Sequence, residues 1–344
     1  MKSCPTLLNV VSKKYHCPLP KEAQYFLKLI VMDNELSTPQ SMQQAVATAT
    51  GTAPLPYNRK IAVISSGTVG IGVVHCLVMN AIPVVLKVEN KEQVENAMAR
   101  IEISIEHALQ RNGLGMDQLP ERLRYVTCTQ DYADVADADL VIEAASLKKN
   151  EAEAFYKNLD STVQNDAVFA TNSSSLSISE LASMTRRPER FIGMHFFTPV
   201  SVMKLVEVIR GRHTDSEVVS FALDLCCRMG KEPIEVDEAP GFVVNRLLVP
   251  MINEAIAEFS EGVASIEAID AAMRTGANHP MGPLELADLV GLDNCLAIME
   301  GLYEEFGDPK YRPHPVLRKK VRAGELGRKT GVGFYRYETD STDL

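Results

Sequence analysis

The sequence contains no CxxC pair, no apolar run approaching the roughly 20 residues that cross a bilayer, and no surplus of positive charge. Each absence narrows the field. Its seven cysteines (Cys4, Cys17, Cys76, Cys128, Cys226, Cys227 and Cys295) are odd in number and lack metal-ligand spacing, so no metal site and a reducing compartment are expected. The longest apolar runs, such as Ile61–Ile64, have the length of a strand, and no membrane span is expected. Acidic residues outnumber Lys and Arg 45 to 35, for a formal net charge of −10. Nucleic acid is therefore not an expected partner, although a local basic patch can still hold a phosphorylated small molecule. The N-terminus has no secretory apolar core. Its first 21 residues lack acids and carry Lys2, Lys13 and Lys14 but no arginine, whereas organelle transit peptides are rich in it. The mitochondrial matrix is the expected compartment, with the cytoplasm as the alternative.

What is present is ordinary for a globular chain: 344 residues, 46% hydrophobic and 23% charged, enough for about two domains. Residues 1–58 show no steady periodicity, apart from a short helical stretch at Lys21–Val31 and a linker rich in Ala, Thr, Gln and Pro at 41–56. From Lys60 the pattern changes. Strand, tight turn, helix and strand follow one another within about 28 residues, which is a βαβ unit and predicts a parallel sheet. Further strands are predicted at Arg124–Thr127, Asp139–Glu143, Ala167–Ala170, Phe191–Phe197, Lys204–Ile209 and Glu232–Val236, with a long helix over Glu89–Arg111. After Gly241 the strands stop, and helices are predicted at Asn245–Glu261, Ser265–Thr275, Leu284–Phe306 and Val316–Ala323. The expected fold is α/β: a Rossmann-like, mostly parallel sheet domain at 59–240, then an all-helical C-terminal domain at 241–344.

Two local patterns carry chemistry. The turn Ser65-Ser66-Gly67-Thr68-Val69-Gly70 follows a strand and opens a helix, where backbone amides and the helix dipole hold phosphates. It keeps the second and third glycines of a dinucleotide fingerprint but has Ser65 in place of the first. The next strand, Val85-Leu86-Lys87-Val88-Glu89, should end in an acid that bonds the ribose hydroxyls. Here the acid, Glu89, falls one residue late and so points to the other face unless the strand end bends. The second pattern is His195 inside the apolar run Gly193–Val200, with Glu207 twelve residues on. If the two strands are joined through Pro199, the side chains meet, and a carboxylate fixes the tautomer of a general base. A pair that only satisfies two buried groups is the alternative.

At this point the chain resembles the L-3-hydroxyacyl-CoA dehydrogenase family of fatty acid β-oxidation, from about Lys60 to Tyr337. Asn172-Ser173-Ser174-Ser175-Leu176 is similar to the family's Asn-Thr-Ser-Ser-Leu, and Gly193–Val200 to its Gly-(Leu/Met)-His-Phe-Phe-Asn-Pro-Val. Pro240–Arg246, His279–Pro283 and Gly327–Tyr335 are similar to its C-terminal signatures. The resemblance implies hydride transfer between an acyl-CoA substrate and NAD. His195 is then the base on the substrate's 3-hydroxyl and Glu207 orients it. Ser174 and Asn245 hydrogen-bond the hydroxyl and the neighbouring carbonyl, and Ser104 and Arg111 face coenzyme A. The implied cofactor set is Ser65, Gly67, Thr68, Val69, Gly70, Glu89, Glu143 and Asn172. A homodimer paired through the C-terminal domain is expected.

The departures from the family gather on the cofactor. Besides Ser65, Val88 stands where the family has the ribose-binding acid, and Leu147 and Ala152 where it has a Glu and a Lys beside the nicotinamide. Thr198 replaces an Asn next to His195 and keeps a hydroxyl. Two rival readings follow. One is an acyl-CoA-binding homologue that no longer turns over. The other is an NADP-dependent dehydrogenase for another hydroxy acid, with Lys87 near the missing acid but no Arg at the strand end.

Overall fold

The computed structural model describes residues 59–338 apart from Ser146, Lys148 and Ser175. The predicted helix at Lys21–Val31, the linker and the rest of the 1–58 extension lie outside the described residues. Internal contacts divide the chain between Glu238 and Ala239.

The first unit is an eight-stranded sheet in the order β3-β2-β1-β4-β5-β6-β7-β8. Its strands are β1 (Ile61–Ile64), β2 (Val84–Lys87), β3 (Val126–Thr129), β4 (Leu140–Glu143), β5 (Val168–Thr171), β6 (Phe191–Phe196), β7 (Leu205–Arg210) and β8 (Glu232–Asp237). All neighbouring pairs are parallel except β6 and β7, which run antiparallel. The strand order reverses between β1 and β4, so ligands are expected beyond the carboxyl ends of these strands. Side chains of alternating parity face opposite sides of the sheet. Ile61, Val63, Leu140 and Ile142 pack under helices α1 (Thr68–Met79) and α2 (Lys91–Arg111), in a core that also takes in Val218 and Leu225 of α6 (Ser216–Arg228). Glu143 and Thr171 have the other parity and meet Tyr156 of α4 (Lys149–Thr162). Between these lie the short helices α3 (Leu119–Leu123) and α5 (Ile178–Ser183).

The predicted elements recur with small shifts, β3 starting two residues later than expected. One prediction fails: the helix expected over Leu284–Phe306 is two, α9 (Pro283–Val290) and α10 (Leu292–Phe306). The break is Gly291, whose φ of 96° lies where L side chains are strained. The second unit also holds α7 (Val244–Glu261), α8 (Ile266–Gly276) and α11 (Pro315–Arg322), around Ile252, Ile256, Leu284, Cys295 and Met299. Two buried aspartates tie it together. Asp270 accepts the amides of Leu284 and Glu285 at the start of α9, and the Tyr335 hydroxyl. Asp288 accepts the amides of Phe334 and Tyr335 and the Tyr337 hydroxyl. A Cβ on Gly333 would lie 2.0 Å from Asp288 Oδ1, which explains that glycine in the C-terminal signature.

Candidate active site

The turn after β1 is shaped by Ser65 in a way the missing glycine does not suggest. Its φ is not positive, so a serine at this position carries no left-handed backbone strain. The side chain is 2% exposed; its hydroxyl donates to Ala144 O at 2.8 Å and accepts the Gly67 amide at 3.0 Å. Gly70 must stay a glycine, because a Cβ there would lie 2.2 Å from Ser65 Cβ. Gly67 caps α1 without a side-chain bond, and the amides of Thr68, Val69 and Gly70 are the unpaired donors of the helix start. Three amides and a helix dipole fit a diphosphate. One donor, the Gly67 amide, is already taken.

At the end of β2, Val88 is 2% exposed and packed in the core, so no carboxylate reaches a ribose from this position. Glu89 follows on the surface, its amide bonded to Gln93 Oε1 at 2.9 Å. Its charge faces Lys87, whose ammonium lies 4.0 Å from the Tyr132 ring centroid. Burial lowers the Lys87 pKa and Glu89 opposes that shift.

The His–Glu pair forms as the hairpin spacing predicts. His195 and Glu207 are directly opposite in the antiparallel β6–β7 ladder, and His195 Nδ1 donates to Glu207 Oε2 at 2.8 Å. Glu207 is fully buried and His195 is 6% exposed, near the carboxyl end of β6. This bond fixes the proton on Nδ1 and the basic lone pair on Nε2. The Phe197 ring packs against the imidazole in a tilted, edge-type contact, with ring centroids 4.6 Å apart. Asn172 braces the same strand: its Oδ1 accepts the Phe196 amide at 2.9 Å, and its own amide donates to Glu143 O. Ser174 is half-buried and its hydroxyl makes no hydrogen bond among the described residues; the cap of α5 is Ser177.

Three contributors escaped the sequence reading. Lys231, only 5% exposed, donates from Nζ to the carbonyls of Val200 and Met203, pinning the turn that follows His195. His75, on α1, joins its Nδ1 to the Ser104 hydroxyl at 2.9 Å; burial, with Lys231 and Arg111 nearby, pushes its pKa down to about 4. Arg100 sends its guanidinium from α2 to Ser66 O and Thr68 Oγ1. Only residue type could have flagged these three, since a lone His, Lys or Arg on a helix or turn has no periodic signature.

Glu143 ends β4 and is 2% exposed. Its Oε2 accepts the Thr171 hydroxyl at 2.7 Å and the Tyr156 hydroxyl at 3.4 Å, while Oε1 has no hydrogen-bond partner within 3.5 Å among the described residues. Burial pushes this carboxyl up to about 7, against the pull of Thr171, the Ala145 amide and Tyr156. Leu147 is half-buried, and Ala152 is fully buried on α4. Arg111 is exposed at the end of α2. Asn245 belongs to the second unit, in the first turn of α7; Val243 occupies the cap position of that helix, without a side-chain bond.

A phosphate-binding turn and a buried imidazole–carboxylate pair on one sheet are the equipment of a dinucleotide-dependent alcohol oxidoreductase. Residues 60–239 match the family described as 3-hydroxyacyl-CoA dehydrogenase, NAD binding domain, and residues 241–337 its C-terminal domain. The chain is 48% identical over 278 residues to a 3-hydroxybutyryl-CoA dehydrogenase of Clostridioides difficile, covering 81% of this chain and 99% of that one. It is 38% identical over 303 residues to the human mitochondrial hydroxyacyl-coenzyme A dehydrogenase, covering 85% and 95%. The crystal structure of (S)-3-hydroxybutyryl-CoA dehydrogenase from Ralstonia eutropha superposes with a TM-score of 0.79 at 43% identity, covering 82% and 99%. The chain belongs to the 3-hydroxyacyl-CoA dehydrogenase family, and its first unit is the NAD-binding domain.

Proposed function

We propose that the protein interconverts (S)-3-hydroxyacyl-CoA and 3-ketoacyl-CoA by hydride transfer to and from NAD. The observation that carries this reading is the buried His195–Glu207 pair. In the oxidative direction His195 Nε2 takes the proton of the 3-hydroxyl as C3 loses its hydride. Glu207 stabilises the resulting imidazolium across the Nδ1 hydrogen bond. NAD, when bound, supplies the hydride acceptor. Ser174 and Asn245 hydrogen-bond the substrate's hydroxyl and neighbouring carbonyl, and Ser104 and Arg111 hold the coenzyme A portion. Thr68, Val69 and Gly70 offer amides to the cofactor's diphosphate, and Ser65 and Gly67 shape that turn. Glu143 and Asn172 support the site from beneath, with Glu89 at its rim.

The helical unit exposes Leu247 (71%), Val263 (66%) and Leu289 (50%), which supports pairing of two copies through it. Light scattering reads that state. No helix among the described residues is long and apolar enough to cross a membrane. The mitochondrial matrix is the proposed compartment, with the cytoplasm as alternative, and fractionation decides. The activity is tested with acetoacetyl-CoA and NADH. Stoichiometric consumption of both is expected; a folded protein that binds acetoacetyl-CoA without consuming NADH is the non-catalytic alternative.

A further inference from the structure

Resting on the dehydrogenase reading, we propose that Arg100 is a phosphate-binding residue of the cofactor site. With Val88 at the end of β2, it lets the adenosine-ribose end accept a 2′-phosphate, so that the enzyme takes NADPH as well as NADH.

Three observations converge on that end of the site. Val88 leaves no carboxylate to bond a ribose diol or to repel a phosphate. NAD sites use such an acid, and an Arg nearby accommodates the extra phosphate of NADP. The Ser65 hydroxyl has taken the Gly67 amide, so the turn has one backbone donor fewer for an anion. Arg100 then brings charge to the same turn. Its Nη1 donates to Ser66 O at 3.0 Å and its Nη2 to Thr68 Oγ1 at 3.3 Å, so the guanidinium brackets the exposed Gly67 from both sides. A guanidinium has five N–H donors, and these two bonds leave three for a ligand. No carboxylate lies within ion-pair distance of Arg100 among the described residues, in a chain of net charge −10. An unpaired guanidinium held over a phosphate-binding turn suits bidentate phosphate recognition. Glu89 forms no ion pair with Arg100 among the described residues; its charge acts on Lys87, opposing the lowering of that pKa by burial.

Arg100 also lies one helical turn before Ser104, so the diphosphate of coenzyme A is a second source of the same chemistry. Its bonds to Ser66 and Thr68 favour the dinucleotide. The test is direct titration of NADPH and NADH, by calorimetry, into the unaltered protein and into Arg100→Lys, Arg100→Gln and Arg100→Glu. Michaelis constants are then measured with acetoacetyl-CoA and with acetoacetyl-pantetheine, which lacks nucleotide phosphates. The expected result is NADPH affinity within about tenfold of NADH. Arg100→Gln should lose roughly 10- to 100-fold for NADPH and clearly less for NADH, with Lys retaining and Glu losing more. NADPH binding thousands of times weaker than NADH, or an Arg100→Gln loss equal for both dinucleotides, overturns the proposal. So does a loss confined to the acetoacetyl-CoA Michaelis constant and absent with the pantetheine ester. Binding is read without turnover, so a protein that binds both dinucleotides as expected but reduces no thioester fails only the dehydrogenase reading.

Discussion

Replacing Glu143 by Gln should stabilise the protein at alkaline pH and do almost nothing at acid pH. The carboxyl is 2% exposed, with two hydroxyl donors on one oxygen and none among the described residues on the other. Burial moves its pKa from the ordinary 4.5 to about 7, so the folded chain holds a proton that the unfolded chain has released between those two values. A folded state that binds more protons loses stability as pH rises. Below pH 4.5 both states are protonated and the favourable contribution is fully present; it declines through that window and is gone above pH 7. The displacement corresponds to roughly 3 kcal/mol at most. Gln has the shape of the protonated acid, accepts the same two hydroxyls and never ionises. At pH 8.5 the variant should therefore melt higher, by up to about 6–12 °C for a unit of this size, since 1 kcal/mol is worth about 2–4 °C. At pH 5 the two proteins should melt within about 2 °C of each other. The assay is calorimetric melting of both proteins across pH 5–9. A melting difference that does not change with pH would refute the reasoning, because it would mean that Glu143 does not exchange a proton on unfolding.

Glu207→Gln keeps the shape of the buried pair but removes the charge that orients His195, and should lower kcat roughly 10²–10⁴-fold with NADH affinity unchanged. An unaltered kcat contradicts the coupling. Ser65→Gly releases the Gly67 amide and should tighten NADH binding about tenfold by calorimetric titration; no gain means that this amide does not face the diphosphate. Lys231→Met leaves the carbonyls of Val200 and Met203 without their ammonium donor. It should cost about 1–3 kcal/mol in denaturant unfolding and reduce kcat more than the Michaelis constants change. A fully stable, fully active variant removes Lys231 from the account.

Much of the fold was legible because burial writes a period into the sequence. The runs at Ile61–Ile64 and Asp139–Glu143 read as strands of a parallel sheet; strands form at Ile61–Ile64 and Leu140–Glu143, and every residue of both is buried. The His195–Glu207 register was legible for a local reason. Two short apolar runs around Pro199 allow few pairings, and only one places a His opposite a Glu. Where a single residue decides, the period misleads: Gly291 interrupts an apolar pattern that is continuous on either side of it. The polar supports were not legible at all. Arg100 meets Ser66 across 34 positions, Lys231 meets Val200 across 31, and Thr171 meets Glu143 across 28. Such bonds depend on how helices are placed over the sheet, and no local pattern announces them. The burial of Glu143, assigned to the cofactor set by the resemblance alone, likewise depends on Tyr156 of α4, thirteen positions away.

The central claim is that His195, held by Glu207, moves the substrate's hydroxyl proton. Its most direct test is the initial rate of NADH oxidation by acetoacetyl-CoA, both saturating, for the unaltered protein and for His195→Gln. The account predicts that the variant keeps its melting temperature and substrate affinity while kcat falls roughly 10²–10⁴-fold. Equal rates in the two proteins, or no turnover by the unaltered protein, would contradict it.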